Sequence, residues 1–471
     1  VSDEMRLASA AEAERSVDVV VVGAGAAGLC AALSARDAGA RVVVLERDAK
    51  PAGNTALTLG MLPGAGTRFQ REAGIEDSPD LFLADIVKKA KGKTEEALAR
   101  AVAEASGPAV EWLNDAHGVA FELLSDILYP GHSRHRYHVP KSRTGVEMEE
   151  GLLAAARRAG AEIVTSARVE GLEADETGRV VAVRYTDRDG QNVTLGCGAL
   201  VLATGGYGAD PALVKRHIPE MSDAVYCGHD GSDGIALAFG EQLGAGFADL
   251  GAYQGHCVAA GPALPVTWAL VIRGGFQVNR EGRRFSNEMR GYSEQASAVL
   301  AEPGGTVFTV YDARCEEPAL TFADYHRVME AGAVLEADDI EGLAAKAGLP
   351  AAALKESFLA VSAYGSGESA DPFGRDFSGN PPLRPHFKAV EVKGALFHTQ
   401  GGLAVDTGAR VMRAGGTALP NLFAAGGAAR GISGPSSDGY LGGNGLVTAV
   451  ALGRLAGASA AEIASQHKRE S

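Results

Sequence analysis

The hexapeptide "GAGAAG", Gly23 to Gly28, is where residue type and spacing point most directly to chemistry. Gly23, Gly25 and Gly28 carry no side chain where a chain must turn tightly, approach a pyrophosphate and pack a helix on a strand. The helix that follows offers its first N–H groups to phosphate. Glu46, about twenty residues on, stands where an acid accepts ribose hydroxyls. These features mark a dinucleotide site and by themselves suit FAD or NAD. A second group is His132, His135 and His138 in "YPGHSRHRYHVPKSRTG", at i, i+3 and i+6. That spacing invites metal, but the setting is basic and no Asp, Glu or Cys partner accompanies it, so no metal site is expected. The third is "SSDGYLGGNGL", residues 436–446, where Tyr440 interrupts a loop of small residues that runs into an apolar helix.

The elements that must position these groups are legible around them. Residues 17–48 read as strand, glycine turn, helix and second strand, with Val17 to Val22 a buried parallel strand by its continuous β-branched character. Residues 143–175 read as a helix followed by a strand, and "CGALVLATGGYG" as a buried strand ending in glycines. From about 246 to 380 the pattern changes to mixed loops, short strands and an alanine-rich helical stretch; 395–406 and 419–455 return to strand, glycine turn and helix. The organisation expected is a nucleotide-binding domain in two parts, 1–245 and 381–471, with a substrate-capping domain, 246–380, inserted between them.

Composition narrows the function classes. The 471 residues are 46% hydrophobic and 22% charged, a folded enzyme's balance, and the 62 glycines fit close backbone approach to a large cofactor. A net charge of −15 repels polyphosphate, so neither nucleic acid nor anionic lipid is an expected partner. Five widely spaced cysteines, Cys30, Cys197, Cys227, Cys257 and Cys315, with no CxxC, argue against a disulfide framework, a zinc site or attached haem. The acidic "VSDEMRLASAAEAERS" lacks signal-peptide order, and no uncharged apolar run nears the roughly 18 residues that span a bilayer, so a cytoplasmic protein without membrane insertion is expected.

Three further stretches, "PAGNTALTLGM" (51–61), "ALVLATGGYG" (199–208) and "PNLFAAGGAARG" (420–431), resemble the segments by which the fumarate reductase and succinate dehydrogenase flavoprotein superfamily encloses FAD. That superfamily also contains the 3-ketosteroid dehydrogenases. The resemblance runs over nearly the whole chain. It implies an α/β fold: a discontinuous Rossmann-like FAD-binding domain, glutathione-reductase-like, with an inserted α+β cap. FAD is expected to be non-covalent, since no histidine or cysteine stands at an evident attachment position. The resemblance assigns to the FAD site Gly23, Gly25, Ala26, Ala27, Gly28, Glu46, Arg47, Gly53, Asn54, Thr55, Thr58, Gly60, Val169, Ala203, Thr204, Gly205, Gly426, Gly427, Asn444, Gly445 and Leu446. No second GxGxxG is present, so no nicotinamide site is expected.

The same resemblance gives the chemistry. In "GGFQVNREGRRFSNEMRGYSEQASAVL", fumarate reductases place an arginine four residues beyond the Glu of the "NE" pair; here that place is Tyr292, as in the ketosteroid dehydrogenases, where a tyrosine removes a proton from carbon. Tyr440 likewise stands where fumarate reductases carry a carboxylate-clamping arginine before "LGGN", and ketosteroid dehydrogenases a tyrosine that donates to the substrate ketone. A cation matched to carboxylate is thus exchanged for a neutral donor suited to a carbonyl. Backbone N–H groups of Gly442 to Asn444 are expected to assist Tyr440. A phenol ionises near pH 10, so Tyr292 needs help as a base; Arg290 and Arg284 are candidate sources of it and equally candidate surface cations. His398, in "ALFHTQGG", aligns with a carboxylate-contacting histidine and draws toward an acidic substrate. The expected substrate-binding set is His398, Arg290, Gly443 and Asn444, with Tyr292 and Tyr440 catalytic.

The expected activity is FAD-dependent α,β-dehydrogenation of a ketone, in a ring such as an oxocyclohexanecarboxylate or 3-ketosteroid, with hydride passing from the β-carbon to flavin. The alternative is fumarate reductase-like reduction of an unsaturated carboxylate, its arginine acid supplied by Arg290 or Arg273. A non-catalytic flavoprotein is the remaining class. The expected partners are a small ketone or carboxylate and an electron acceptor, whether oxygen, a quinone or a carrier protein.

Overall fold

In the computed structural model, residues 6–7 and 15–470 are described. Of the stretch 1–16, read above as lacking signal-peptide order, residues 1–5 and 8–14 lie outside the described residues. Strand β1 (Arg15–Val22) is buried throughout Val17–Val22. At Gly23 the chain turns with φ +100°, and a methyl carbon added there would stand 2.4 Å from the Ala203 carbonyl oxygen, so only glycine closes this turn. Helix α1 (Ala26–Asp37) begins behind Gly25 without a side-chain cap, and β2 (Val42–Leu45) pairs in parallel with β1. Further on come α2 (Gly145–Arg158), capped by the Thr144 side chain, and β3 (Asn192–Leu202).

Among the described residues the larger sheet has nine strands. Its path runs Arg6–Leu7, Arg168–Ala174, Val180–Thr186, β3, β1, β2, Glu162–Val164. β1 pairs in parallel with both β2 and β3, is buried throughout Val17–Val22 and has α1 and the helix Asn444–Glu470 packed on it, so its side chains have no wet face and "VVVV" serves there.

A second sheet of six strands carries the cap, which makes the inserted part β-rich. Strand β4 (Tyr253–Ala259) supplies one side, and helix α3 (Tyr292–Ala301) packs on it through Gly255, where a methyl carbon would come within 2.7 Å of the Ala296 side chain. The organiser is β5 (Phe387–Thr399), which pairs with β4, Thr306–Asp312, Val334–Ala337 and Val225–Tyr226. This sheet therefore draws strands from 225 to 399 and reaches past 246 and 380 on both sides.

The chain returns through β6 (Ala418–Ala424), parallel to β3, and ends in α4 (Asn444–Glu470). By length and composition, the stretch Asn444–Arg469 of α4 is apolar enough to cross a bilayer. Its apolarity is explained by burial: 56% of its most apolar window lies inside the protein. Against α1, methyl carbons added at Gly453 and Gly457 would stand 2.4 and 2.1 Å from the carbonyl oxygens of Ala27 and Ala31, so the two helix backbones nearly touch.

Candidate active site

Two clefts meet between the sheets. The first, about 1220 Å³, is an elongated trough bordered by the β1–α1 turn, the ends of β2 and β3, the loop 53–58 and the start of α4. Of the expected FAD residues, Gly23, Gly25, Ala26, Ala27, Glu46, Arg47, Gly53, Asn54, Thr55, Thr58, Val169, Ala203, Thr204, Gly205, Gly426, Gly427, Gly445 and Leu446 all line it.

Three do not. Gly28 is a packing residue, since a methyl carbon there would lie 1.9 Å from the Gly23 carbonyl oxygen. Gly60 turns with φ +68° against Pro140, away from the trough. Asn444 is fully buried and borders neither cleft; its amide donates to Ser433 Oγ (3.0 Å), while its Oδ1 has no protein partner.

The trough also contains a segment missed in the sequence, His229 and Gly231 to Asp233. It lies in "GHDGSDG", a run of small and acidic residues whose composition signals a ligand-side turn; the Asn54 amide ties this segment to the 53–58 loop through His229 N (2.7 Å) and Ser232 Oγ (3.0 Å).

The residues present fit FAD. The start of α1 faces the trough at Gly25 to Ala27, with the Ala26 N–H donating to Thr55 Oγ1 (3.0 Å), and phosphate charge there is stabilised by the helix N-terminus. Glu46 is buried, accepts from Ala24 N (2.8 Å) and Asp48 N (2.9 Å), and retains acceptor capacity on the side that borders the trough, where ribose hydroxyls donate. Thr204 Oγ1, buried on the trough wall, has no protein partner. Glu46→Arg should weaken FAD binding roughly tenfold or more, by loss of charge-assisted hydrogen bonds and by bulk. Fluorescence titration of the apoprotein checks this, and unchanged affinity would remove Glu46 from the site.

The second cleft, about 1000 Å³, opens from the trough at Asn54, Thr58, His398 and Leu446, which border both. Tyr129, Tyr137, Tyr292 and Tyr440 line it together with His256 and Trp268. Tyr292 is carried in as the first residue of α3, directly after Gly291. The turn before it is anchored by buried Glu288, which pairs with Arg284 (2.9 Å) and Arg375 (3.1 Å) and accepts from Gln277 N (3.0 Å). Arg284 is thus committed to Glu288 and Asp371 and gives Tyr292 no direct help.

Arg290 corrects the expectation more sharply. It sits at the end of a 3-10 turn, 58% exposed, 3.9 Å from Asp438 and outside both clefts, because that turn sends successive side chains in different directions. Arg273 is exposed at the far side of the cap, donating to the Asp126 carbonyl. Neither arginine borders the reacting region.

Tyr440 follows the 3-10 turn Ser437–Gly439 and is 5% exposed. Its ring stands 6.0 Å from Tyr292 and 5.8 Å from His398, and its hydroxyl donates to Gln254 Oε1 (3.2 Å), an amide carbonyl. Burial raises the Tyr440 pKa, an effect opposed in part by the N–H groups of Gly445 and Gly443. The expected helper Asn444 N–H is spent on the Leu441 carbonyl (3.0 Å). Tyr292 is likewise pushed well above the ordinary phenol value by burial, then by Tyr440, Tyr137 and Tyr129 around it. Burial lowers both His398 and His256 to about 4, so each is neutral at pH 7.

No lysine or arginine lines the second cleft among the described residues; its one ionisable carboxyl is Asp324, raised by burial. His132 and His138 turn to separate partners, the Gly442 carbonyl (2.9 Å) and Thr67 Oγ1 (2.9 Å). Among the described residues no cluster of three His, Cys, Asp or Glu is arranged for a metal ion.

Comparison with known proteins adds to this geometry. Residues 18–446 match the family model described as the FAD binding domain. The chain is 30% identical over 457 residues to an NADH:fumarate oxidoreductase of Klebsiella pneumoniae (strain 342), covering 96% of this chain and 48% of that protein, so it spans about half of that relative. Among solved structures it resembles an open conformation of a flavocytochrome c3 fumarate reductase (TM-score 0.79, 27% identity, 97% of this chain and 80% of that one). It also resembles the 3-ketosteroid-Δ4-(5α)-dehydrogenase of Rhodococcus jostii RHA1 bound to 4-androstene-3,17-dione (TM-score 0.77, 26% identity, 96% of this chain and 98% of that one). The fold is of the succinate dehydrogenase and fumarate reductase type, an α/β FAD-binding part with a β-rich cap, and not specifically glutathione-reductase-like.

Proposed function

The chain belongs to the FAD-binding succinate dehydrogenase and fumarate reductase flavoprotein superfamily, is an FAD-dependent oxidoreductase acting on CH–CH groups, and we propose that its substrate is an uncharged carbonyl compound. Within that proposal it desaturates a ketone at the α,β bond, and a ring ketone such as a 3-ketosteroid fits best. The observation that carries this is the second cleft itself: four tyrosines and no cation where a dicarboxylate would need one.

The residues divide the work as follows. The trough residues, among them Glu46, Thr204 and the Gly25–Ala27 turn, would hold FAD non-covalently, and FAD bound there would supply a hydride-accepting centre for the β-carbon's hydrogen. Tyr440, which already donates to the amide carbonyl of Gln254, turns that donor to the substrate carbonyl oxygen and holds the enolate charge that develops there. Tyr292 Oη, on the neighbouring ring, receives the α-proton. Because burial favours the neutral phenol, Tyr292 must first release its own proton to solvent; the phenolate so formed, stabilised by a hydrogen-bond donor, is the species that takes the α-proton and returns to the phenol. Neutral His398, at the junction of the clefts, positions the substrate as a hydrogen-bonding group without forming an ion pair. The electron acceptor that completes turnover is proposed to be a quinone, a carrier protein or oxygen. We further propose a cytoplasmic setting.

The relatives favour a second reading, reduction of an activated alkene by the same transfer in reverse, since their names include fumarate, urocanate and acrylate reductases. Anaerobic mixing separates the two. Ring ketones should bleach the oxidised flavin within milliseconds to seconds, whereas fumarate and acrylate should leave the photoreduced enzyme reduced. Rapid reoxidation by fumarate with no bleaching by any ketone would overturn the ketone reading. His398→Ala should slow neutral ketones and carboxylate-bearing ketones alike, by about tenfold for one lost hydrogen bond. A loss confined to carboxylates would restore an acidic substrate.

A further inference from the structure

One buried polar network behind the cleft has no part in the chemistry described so far. Arg136 is fully buried and held by two carboxylates, Asp77 (2.9 and 3.0 Å) and Asp85 (2.5 Å). A guanidinium only donates, and its Nη1 lies 3.2 Å from His132 Nδ1, so Nδ1 must be the unprotonated nitrogen. The neutral ring then carries its proton on Nε2, which lies 2.9 Å from the Gly442 carbonyl and 3.0 Å from Tyr137 Oη. Burial, and next the charge of Arg136, hold His132 to about 4, in keeping with a neutral ring. The single Nε2–H is shared between the Gly442 carbonyl and Tyr137 Oη and leaves Nε2 no lone pair to accept from the phenol, so the Tyr137 hydroxyl proton is turned away from His132. On that other side lies Gly442: a methyl carbon added there would stand 2.4 Å from Tyr137 Oη and 3.1 Å from Tyr292 Oη. Both hydroxyls thus lie against Gly442, where the missing side chain leaves room for them.

We propose that His132, locked in its Nε2–H tautomer by Arg136, is a positioning residue that aims the Tyr137 hydroxyl at Tyr292 and so makes Tyr292 able to exchange a proton with substrate. The inference rests on the reading of Tyr292 as the proton-exchanging group. It replaces the direct help expected from Arg284 and Arg290 with a cation acting at two removes: Asp77 and Asp85 fix Arg136, Arg136 fixes the imidazole, the imidazole fixes the phenol. The general logic is that a reacting group is oriented by a second group which a third holds in place. The other rings facing Tyr292 are neutral His256 (4.8 Å), Tyr440 (6.0 Å), Trp268 (6.2 Å) and Tyr129, none of which supplies charge. On its other side His132 meets the Phe82 ring (6.3 Å).

The test places 2,3,5-trifluorotyrosine at position 292 in the FAD-loaded protein, which brings the phenol ionisation into an accessible range, and follows it by fluorine NMR against pH. His132→Leu should raise the midpoint by about one pH unit, a tenfold fall in acidity. His132→Gln should hold it near the parent value, because its amide accepts from Arg136 and donates to Tyr137 with no titratable group. Tyr137→Phe should raise it as His132→Leu does, and the double variant should add nothing further, the mark of two residues acting in series. An unmoved midpoint in His132→Leu with a native flavin spectrum would overturn the proposal, as would a rise in His132→Gln equal to that in His132→Leu. If His132→Leu does not retain FAD, Tyr137→Phe decides alone: an unmoved midpoint there is equally fatal. The titration needs no substrate, so it can fail while the ketone reading stands, and it can succeed if the ketone panel fails.

Discussion

Tyr292→Phe should bind substrate and FAD nearly as the parent does and reduce its flavin about two orders of magnitude more slowly, or slower still, the usual cost of losing a general base. The substitution removes one oxygen and leaves the ring packed against His256 (4.8 Å) and Trp268 (6.2 Å). Glu288 still anchors the preceding turn through Arg284 and Arg375, so α3 should begin in the same place. Stopped-flow reduction at saturating ketone measures the step, and an unchanged flavin spectrum excludes a displaced helix as the cause. Wild-type rates in the variant would reduce Tyr292 to a packing residue. Arg290 does not then become the base, because it lies outside both clefts; the nearest remaining candidates are Tyr137 and His256.

The contrast between Tyr292 and Arg290 shows what spacing along a chain can and cannot reveal. The FAD trough was legible because its requirements are local: a strand of valines, glycines where carbonyl oxygens crowd the turn, and an acid at the end of the next strand. Gly60 and Asn444 sat in the right segments yet point elsewhere, since a segment can border a cleft while one of its residues turns into the core. The substrate cleft depends on residues brought together by both sheets. Gln254 and His256 come from β4, Trp268 from the cap, and Tyr129 and Tyr137 from the histidine-rich segment 129–145. No periodicity links them. The neutrality of His398 was equally out of reach, because burial at the junction of the two clefts sets it and not the adjacent glycines.

Tyr440→Phe should cost roughly 2–4 kcal/mol in the activation barrier for ketones, the range for loss of one oxyanion donor. Tyr440 is buried, its hydroxyl lies among the N–H groups of Gly443 and Gly445, and its proton is directed at a carbonyl-type oxygen, Gln254 Oε1. A phenol held this way is a poor acid, since burial pushes its pKa upward; it therefore stabilises the enolate by hydrogen bonding and keeps its proton. That separates its role from that of Tyr292 and gives the two variants different signatures. Exchange of the ketone's α-protons in deuterated water, with the flavin kept oxidised and substrate saturating, isolates proton removal from hydride transfer. Tyr440→Phe should slow this exchange because the enolate loses its donor, and Tyr292→Phe should slow it because the acceptor is gone. Raising the acidity of the ketone should recover exchange in Tyr440→Phe more than in Tyr292→Phe, since a more stable enolate needs less support at oxygen but still needs somewhere to send its proton. Unchanged exchange in Tyr440→Phe would remove the oxyanion role. It would also leave the absence of a cation among the residues lining the second cleft as the sole physical ground for a ketone over a dicarboxylate.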